Sequence, residues 1–234
     1  MTVARERESC TLVSVSFPFR IKVCGITTED AARSAVAAGA DHLGLIFCPS
    51  PRRVTIERAA ELVARVPASW VGVFADAGRV EPARLARELG LAAVQLHGRE
   101  TPEDCRDARE RAGVPVWKAI DASVPGAERG FAGAADALLL DRGRGGGGRA
   151  LDWRALASRF PRAERPVAVI LAGGLDPENV ARAIDEARPD GVDASSRLES
   201  TPGAKDPELV VRYVLRARAA ADAAAASDLA EAAR

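Results

Sequence analysis

Short apolar runs recur eight times along this chain, and segments with helical spacing separate them. The first run leads through Phe17, Phe19 and Ile21 into residues 22–27. The other seven lie at 41–47, 70–75, 93–96, 116–120, 137–140, 167–172 and 191–194. Continuous apolar runs are typical of strands buried on both faces, as in a parallel sheet covered by helices. Eight such units in 234 residues favour a closed barrel over an open sheet.

Capping signals mark where the intervening helices begin. Thr27, with Asp30 three residues later, predicts a capping box for the first helix, and Thr55 predicts the N-cap of the second. Three triplets place a capping residue before a proline and an acid, an order that suits the first turn of a helix. They are Thr101-Pro102-Glu103, Asp176-Pro177-Glu178 and Asp206-Pro207-Glu208. The helices after the fifth and sixth strands, near 127–135 and 153–158, have the weakest signals.

We therefore predict an α/β fold with one domain, a (β/α)8 TIM barrel over residues 17–216. Residues 1–16 are predicted to be an N-terminal extension with little structure. The alanine-rich stretch 217–234 predicts a continuation of the last helix that frays, because few large apolar side chains anchor it.

Composition excludes several classes of function. The formal net charge is zero and no basic block stands out, so nothing favours a nucleic-acid partner. Nowhere do eighteen apolar residues run together, which argues against a membrane span, and the charged N-terminus is a poor signal peptide. The four cysteines (Cys10, Cys24, Cys48, Cys105) are widely spaced, which argues against zinc sites and disulfide frameworks. We expect reduced thiols in a cytoplasmic protein.

Glycine and serine turns follow the last two predicted strands. Gly173 and Gly174 come directly after the seventh strand and just before a predicted helix. Asp193, Ser195 and Ser196 end the eighth strand. Backbone N–H groups in such turns bind phosphate, and barrels often carry this site after strands seven and eight. We therefore predict a barrel of the phosphate-binding type.

The glycine run 143–148 is a weaker signal. It matches a dinucleotide-binding pattern formally, but so many glycines would match almost any such pattern. It also fails as a P-loop, because Arg149-Ala150 stands where Lys-Ser/Thr is required. We favour a mobile loop over a nucleotide site.

Three titratable side chains follow apolar strands. A lone cysteine such as Cys24 is more often a small packing residue than a reactive one. Asp141 ends a wholly apolar strand with glycines after it, and we favour a site acid over a helix cap. For His97 we favour a structural hydrogen-bonding role. No metal cluster can be assembled from the sequence.

The motifs taken together resemble those of the phosphoribosylanthranilate isomerase family of tryptophan biosynthesis, over about 21–214. At the first three strands they are Lys22-Val23-Cys24-Gly25-Ile26-Thr27, Gly44-Leu45-Ile46-Phe47, Ser50-Pro51-Arg52 and Val71-Gly72-Val73-Phe74. At later strands they are Val94-Gln95-Leu96-His97-Gly98, Leu138-Leu139-Leu140-Asp141, Leu171-Ala172-Gly173-Gly174-Leu175-Asp176-Pro177-Glu178-Asn179-Val180 and Val192-Asp193-Ala194-Ser195-Ser196. Their shared order along the chain makes the resemblance specific.

The resemblance implies an isomerase that converts N-(5-phosphoribosyl)anthranilate to the corresponding ketose by an Amadori rearrangement, an aldose-to-ketose isomerisation, without cofactor or metal. Cys24 matches the family's general base and Asp141 its general acid. Arg52 matches the residue near the anthranilate carboxylate, and the two turns match the phosphate site. We expect an acidic limb of the pH profile set by Cys24 and a basic limb set by Asp141. The expected partner is a phosphosugar, and the chain is expected to be a monomer or homodimer.

The chain departs from the family pattern at two places. Arg197 stands where the family has glycine, so we expect strained, positive-φ backbone there. Arg149-Ala150 replaces the usual Lys-Thr/Ser at the end of the glycine-rich loop.

Two alternatives remain open. The first is a related phosphate-binding barrel, the histidine-pathway sugar isomerase, although its catalytic pair is two aspartates and Cys24 argues against it. The second is a binding protein that has kept the phosphate site and lost turnover, which only Arg197 and Ala150 support. An assay with phosphoribosylanthranilate distinguishes all three.

Overall fold

All eight predicted strands form, and they close into one parallel barrel in chain order. The structure is a computed structural model that describes residues 18–78, 80–142 and 151–232. The strands are β1 (Arg20–Cys24), β2 (His42–Ile46), β3 (Trp70–Phe74), β4 (Ala93–Leu96), β5 (Val116–Asp121), β6 (Ala137–Asp141), β7 (Ala168–Leu171) and β8 (Gly191–Ala194). The barrel closes where β1 pairs with β8, with Lys22 opposite Asp193. The predicted (β/α)8 barrel is confirmed.

Seven α-helices are described. They are α1 (Glu29–Ala37), α2 (Ile56–Arg65), α3 (Val80–Leu89), α4 (Pro102–Ala112), α5 (Trp153–Arg159), α6 (Val180–Ala187) and α7 (Pro207–Ala232). The helix expected at 127–135 is wrong, because turns connect β5 to β6 there. Gly126, Gly130 and Gly133 all have positive φ, a backbone geometry that no α-helix accommodates. The helix expected at 153–158 is confirmed as α5.

Most of the predicted caps are confirmed. Thr55 caps α2, and Thr101 forms a capping box with Asp104 at the start of α4. Asp206 accepts hydrogen bonds from the first backbone N–H groups of α7. Asp176 caps a turn that leads into α6, which itself begins at Val180.

The cap predicted at Thr27 is wrong by one residue. Thr28 has extended backbone angles and accepts from Ala31 N at 3.4 Å. Thr27 instead donates its hydroxyl to the carbonyl of Gly203, at 2.9 Å. Gly203 lies in an antiparallel hairpin, β9 (Glu199–Thr201) and β10 (Ala204–Lys205), that follows β8. This long-range contact determines which threonine is free to cap the helix.

The two faces of the strands carry different side chains. Residues that point outward pack against the helices and form most of the apolar core. Residues that point inward form a second apolar cluster, which includes Val71, Trp117, Leu139 and Ile170. Because side chains alternate along a strand, the inward positions nearest the carboxyl end of the barrel become the floor of any site there.

The last helix continues without a break to Ala232. Ala217 and Ala221 are buried, and Asp228 accepts hydrogen bonds from Arg162 at 2.8 Å and Arg188 at 3.0 Å. Sequence reasoning missed this polar anchor. The division at residue 217 stays a prediction, and the extension 1–16 lies outside the described residues. Among the described helices, α7 included, none has both the length and the apolar character to span a bilayer.

Tyr213 of α7 offers a test of this packing. Its side chain is fully buried, and its hydroxyl has no hydrogen-bond partner among the described residues. A buried, unpaired hydroxyl costs free energy, so Tyr213→Phe should raise the free energy of unfolding by about 1 kcal/mol in urea titrations. Tyr213→Ala, which removes the packed ring, should lower it by roughly 3–5 kcal/mol. A clear loss of stability in Tyr213→Phe would show that the hydroxyl has a partner.

Candidate active site

Cys24 lies at the carboxyl end of β1 and points into the barrel beside a buried ion pair. Lys22, two residues earlier on the same face, donates from Nζ to Asp193 Oδ2 at 2.9 Å. The Lys22 and Asp193 side chains are 1% and 7% exposed. Burial lowers the pKa of Lys22, but the Asp193 carboxylate outweighs it and raises that pKa. The lysine is therefore a permanent cation next to the thiol.

The Cys24 thiol nevertheless favours its protonated form. Burial raises its pKa and outweighs the opposite effect of Lys22. Gly44 on β2 leaves the space that the thiol occupies, since a Cβ there would lie 2.7 Å from Cys24 Sγ. The alternation of side chains along β1 and this glycine on β2 fix the position of the sulfur.

Asp141 ends β6 and interacts with His97, which follows β4. His97 Nε2 lies 3.3 Å from Asp141 Oδ2, and Arg142 N donates to Asp141 Oδ1 at 2.7 Å. Burial raises the pKa of Asp141, but these two hydrogen bonds outweigh it and hold the pKa below its usual value. His97 Nδ1 in turn lies 3.0 Å from Gln95 Nε2. His97 forms hydrogen bonds, as expected, but its partner is the candidate acid, so the structural role expected for it stays a prediction.

Cys24, Asp141 and both predicted phosphate turns line one cavity of about 260 Å³. Gly173, Gly174, Asp193, Ser195 and Ser196 are all part of this lining. A second cavity of about 570 Å³ also includes His97 and Asp141 in its lining. The structure therefore brings together seven of the eight site residues that the sequence predicts.

The turn after β7 has the open backbone geometry that an anion site needs. Gly173 and Gly174 have φ of +84° and +85°. Arg142 lies across them and donates from Nε to the Gly173 carbonyl at 2.9 Å, so a side chain at Gly174 would meet its guanidinium. Ser195 donates its hydroxyl to the Cys24 carbonyl at 3.0 Å. Sequence reasoning missed Arg142, whose only signal is that it follows Asp141.

The strain expected at Arg197 is wrong. Arg197 lies in a short 3₁₀ turn, Ser196–Leu198, and the described non-glycine residues with positive φ are Asp76 and Arg188. Its guanidinium Nε lies 3.4 Å from Asp176 Oδ2, and the side chain lines the cavity. Arginine is accommodated because the chain turns in the right-handed region, where a Cβ meets no penalty.

Known proteins of similar sequence and structure point to one family. The family model described as N-(5′-phosphoribosyl)anthranilate (PRA) isomerase matches residues 21–216. The N-(5′-phosphoribosyl)anthranilate isomerase of Desulforudis audaxviator is 44% identical over 86% of this chain and 98% of its own. This chain belongs to the phosphoribosylanthranilate isomerase family. The resemblance inferred from the strand-end motifs is confirmed.

Solved structures of phosphoribosylanthranilate isomerases have the same fold. A monomeric form of the dimeric Thermotoga maritima enzyme has a TM-score of 0.75 and 35% identity, over 86% of this chain and 99% of that one. A phosphoribosylanthranilate isomerase in complex with reduced 1-(o-carboxyphenylamino)-1-deoxyribulose 5-phosphate has a TM-score of 0.75 and 34% identity, with the same coverage.

Arg52 is the predicted site residue that lies apart from the others. Its Nε and Nη2 donate to the two carboxylate oxygens of Glu199 at 2.6 and 2.8 Å, and Lys205 Nζ donates to the same carboxylate at 2.6 Å. The described lining of the 260 Å³ cavity does not include Arg52. Its planar fork is thus occupied by an internal carboxylate. Glu199 and Lys205 come from the β9–β10 hairpin, whose turn Pro202-Gly203 is the signal that could have predicted it.

The glycine run 143–148 and Arg149-Ala150, where the chain departs from its family, lie outside the described residues. Within the described part of the chain, no group of three His, Cys, Asp or Glu side chains is placed to hold a metal ion. Cys24 and Cys105 are free thiols.

Glu199 provides a test of the electrostatics around Arg52. Burial raises its pKa, but Arg52 and Lys205 outweigh this effect and lower it. Stability from a lowered pKa is fully present above the ordinary value of 4.5 and is lost as the pH falls through the folded-state value. Glu199→Gln should therefore lower the free energy of unfolding by roughly 1.5–3 kcal/mol at pH 7. In urea titrations the difference from wild type should shrink below about pH 4.5.

The matched control is Glu110→Gln, at an exposed position of α4. It should stay within about 0.5 kcal/mol of wild type at every pH. A constant difference between Glu199→Gln and wild type down to pH 3 would show that the carboxylate is not the group that titrates.

Proposed function

We propose that this chain isomerises N-(5′-phosphoribosyl)anthranilate to 1-(2-carboxyphenylamino)-1-deoxyribulose 5-phosphate, with Cys24 as general base and Asp141 as general acid. The observation that carries the proposal is the shared cavity. A thiol, a carboxyl group and two turns suited to phosphate line the same 260 Å³ of space. A base and an acid facing one bound sugar are what this rearrangement requires.

The reaction needs two proton transfers to reach an enolamine intermediate. Asp141 gives its proton to the furanose oxygen O4′, the C1′–O4′ bond breaks, and the anilino nitrogen lone pair forms the C1′=N double bond. The Cys24 thiolate then removes the proton from C2′. The electrons of that C–H bond form C1′=C2′, and those of C=N return to nitrogen, which gives an enolamine. The enolamine tautomerises as C1′ gains a proton and the C2′ hydroxyl loses its own.

The pKa directions reverse the expected assignment of the two pH limbs. The raised pKa of Cys24 favours the thiol and the lowered pKa of Asp141 favours the carboxylate, whereas the proposed reaction starts from thiolate and carboxylic acid. The two forms hold the same number of protons, so the reactive fraction is constant between the two pKa values. The acidic limb is therefore set by Asp141, whose pKa is lowered, and the basic limb by Cys24, whose pKa is raised.

Phosphate binding is proposed for the turns after β7 and β8. Gly173 and Gly174 would present backbone N–H groups, and the hydroxyls of Ser195 and Ser196 flank the same space. Arg197 would add a positive charge, since it already lies over this cavity. Asp193 has one oxygen, Oδ1, without a hydrogen-bond partner in the described part of the chain, and a ribose hydroxyl could donate to it.

The cellular setting belongs to the same proposal. The chain would act in tryptophan biosynthesis on a soluble phosphosugar in the cytoplasm, as a monomer or homodimer. The Thermotoga maritima relative has both a dimeric form and monomers derived from it. The cytoplasmic location rests on the spacing of the four cysteines.

Removing either proposed catalytic group tests the function. A general acid or base typically contributes about 10²–10⁴-fold, so Cys24→Ala and Asp141→Asn should each lower kcat at least about a hundredfold. Substrate affinity should stay near wild type, because the phosphate contacts remain. Steady-state turnover with phosphoribosylanthranilate is the measurement.

Cys105→Ala is the matched control, and it should keep most of the activity. Cys105 is buried in α4, outside the cavity, whereas Cys48 is part of the cavity lining. Near-normal turnover of Cys24→Ala would make that thiol a packing residue and refute the mechanism. No turnover by wild type would favour a binding protein.

Arg52→Ala tests whether the substrate carboxylate replaces Glu199. If Arg52 binds the anthranilate carboxylate, the variant should weaken substrate binding by roughly 2–4 kcal/mol. Binding of ribose 5-phosphate, which lacks the aryl group, should hardly change. Titration calorimetry of both ligands measures the difference. Equal losses for the two would leave Arg52 only its observed structural role with Glu199.

A further inference from the structure

A chain of three side chains leads from the barrel interior to the proposed acid. Gln95 Nε2 lies 3.0 Å from His97 Nδ1, and His97 Nε2 lies 3.3 Å from Asp141 Oδ2. An amide nitrogen can only donate, so Nδ1 is the acceptor and the ring proton is on Nε2. His97 thus donates to Asp141, and this arrangement fits the ionised carboxylate.

The other end of the Gln95 amide is unused. Gln95 is 1% exposed, and its Oε1 has no hydrogen-bond partner among the residues that the structure describes. An orphaned acceptor in a buried site is uncommon, because it loses the hydrogen bonds that water would supply. A half-turn of the amide would exchange the two ends and bring Oε1 to His97 Nδ1.

A half-turn of the Gln95 amide changes which protonation states of His97 and Asp141 are stabilised. When the His97–Asp141 pair takes up one more proton, two of the possible distributions place a hydrogen on His97 Nδ1. The ring is then imidazolium beside a carboxylate, or a neutral Nδ1–H ring that accepts from the Asp141 carboxyl group. Both forms need an acceptor at Nδ1, and Gln95 Oε1 is the atom that can supply it.

We infer that Gln95 is a positioning residue whose side-chain amide turns so that the His97–Asp141 pair can hold the proton that Asp141 gives to the furanose oxygen. The inference rests on the proposed function of Asp141. The pair takes this proton from solvent, and donation to O4′ returns His97 and Asp141 to the state described above. His97 is likewise a positioning residue, because it acts on the substrate only through Asp141.

Other charged groups face the pair from the elements around it. Asp121 of β5 is the register partner of Asp141, and Asp193 lies across the cavity on β8 with Lys22 bound to it. Arg142 lies beside Asp141. Asp76 and Arg99 line the larger cavity together with Asp141. The carboxylates of Asp76, Asp121 and Asp193 favour an extra proton on the pair, while the neighbouring cations oppose it.

The ring tautomer can be measured without any turnover. The chain has two histidines, His42 and His97, so ¹⁵N-histidine labelling gives two ring systems, which His97→Asn assigns. Wild type at neutral pH should show His97 protonated at Nε2 and not at Nδ1. Gln95→Glu places a carboxylate, which only accepts hydrogen bonds, beside His97, so His97 Nδ1 should gain a proton in this variant. Burial lowers the pKa of His42 to about 4, so its signals serve as the neutral internal control.

Kinetics separate a positioning role from a merely structural one. Gln95→Met keeps the length but offers no acceptor, so kcat should fall roughly tenfold, a share of the general-acid contribution, with KM within about twofold. The acidic limb of the pH profile of Gln95→Met should move to lower pH. The acidic limb of Gln95→Glu should move to higher pH, and this variant should retain kcat. In an Asp141→Asn background, Gln95→Met should cost no further activity.

The outcomes distinguish the two proposals. A wild-type His97 protonated at Nδ1, or an additive loss in the double variant, would overturn the role of Gln95. Absence of wild-type turnover would overturn the proposed function, and the tautomer in wild type and Gln95→Glu would then decide the role of Gln95 alone.

Discussion

Closure of the barrel between β1 and β8 is the constraint on which the site depends. The Lys22–Asp193 ion pair lies at this closure, with both side chains almost wholly buried. Neither charge could stay in the barrel interior alone, because an unpaired buried ion is strongly destabilising. The same pair places a cation beside the Cys24 thiol and leaves Asp193 Oδ1 without a hydrogen-bond partner among the described residues. One contact thus joins the first and last strands and determines the charge around the sulfur.

The protonation states favoured at Cys24 and Asp141 are the opposite of those from which the proposed reaction starts. Burial keeps the thiol protonated, and hydrogen bonds from His97 and Arg142 keep Asp141 ionised. In the proposed mechanism the reactive pair, Cys24 thiolate and Asp141 carboxylic acid, is therefore a minor form, and a group that stabilises it would raise the rate. Lys22 favours the thiolate, and a turned Gln95 amide would favour the protonated His97–Asp141 pair. Residues with no contact to the reacting atoms can in this way control the reaction.

The β9–β10 hairpin changes the interpretation of Arg52. Glu199 and Lys205 hold its guanidinium, so a substrate carboxylate must compete with an internal one or use the remaining nitrogen. The hairpin also accepts the hydroxyl of Thr27, next to the first strand. The β9–β10 hairpin therefore contacts the loop after β1 through Thr27 and the loop after β2 through Arg52.

The sequence by itself determined the order of the strands, the barrel, most helix caps and the residues at strand ends. These follow from local patterns, because continuous apolar runs and capping residues act within a few positions of one another. The positions of Cys24, Asp141 and the glycine and serine turns at strand ends were predictable for the same reason, whereas the roles proposed for Cys24 and Asp141 came from the resemblance to the family. The tertiary structure decided what those residues touch. The Lys22–Asp193 pair, the Gln95–His97–Asp141 chain and the Arg52–Glu199 pair each join residues from different strands or loops. The missing helix at 127–135 and the cap at Thr28 instead of Thr27 also depend on backbone angles and contacts that composition does not reveal. Partners distant in sequence are set by register and barrel closure, and no local pattern encodes them.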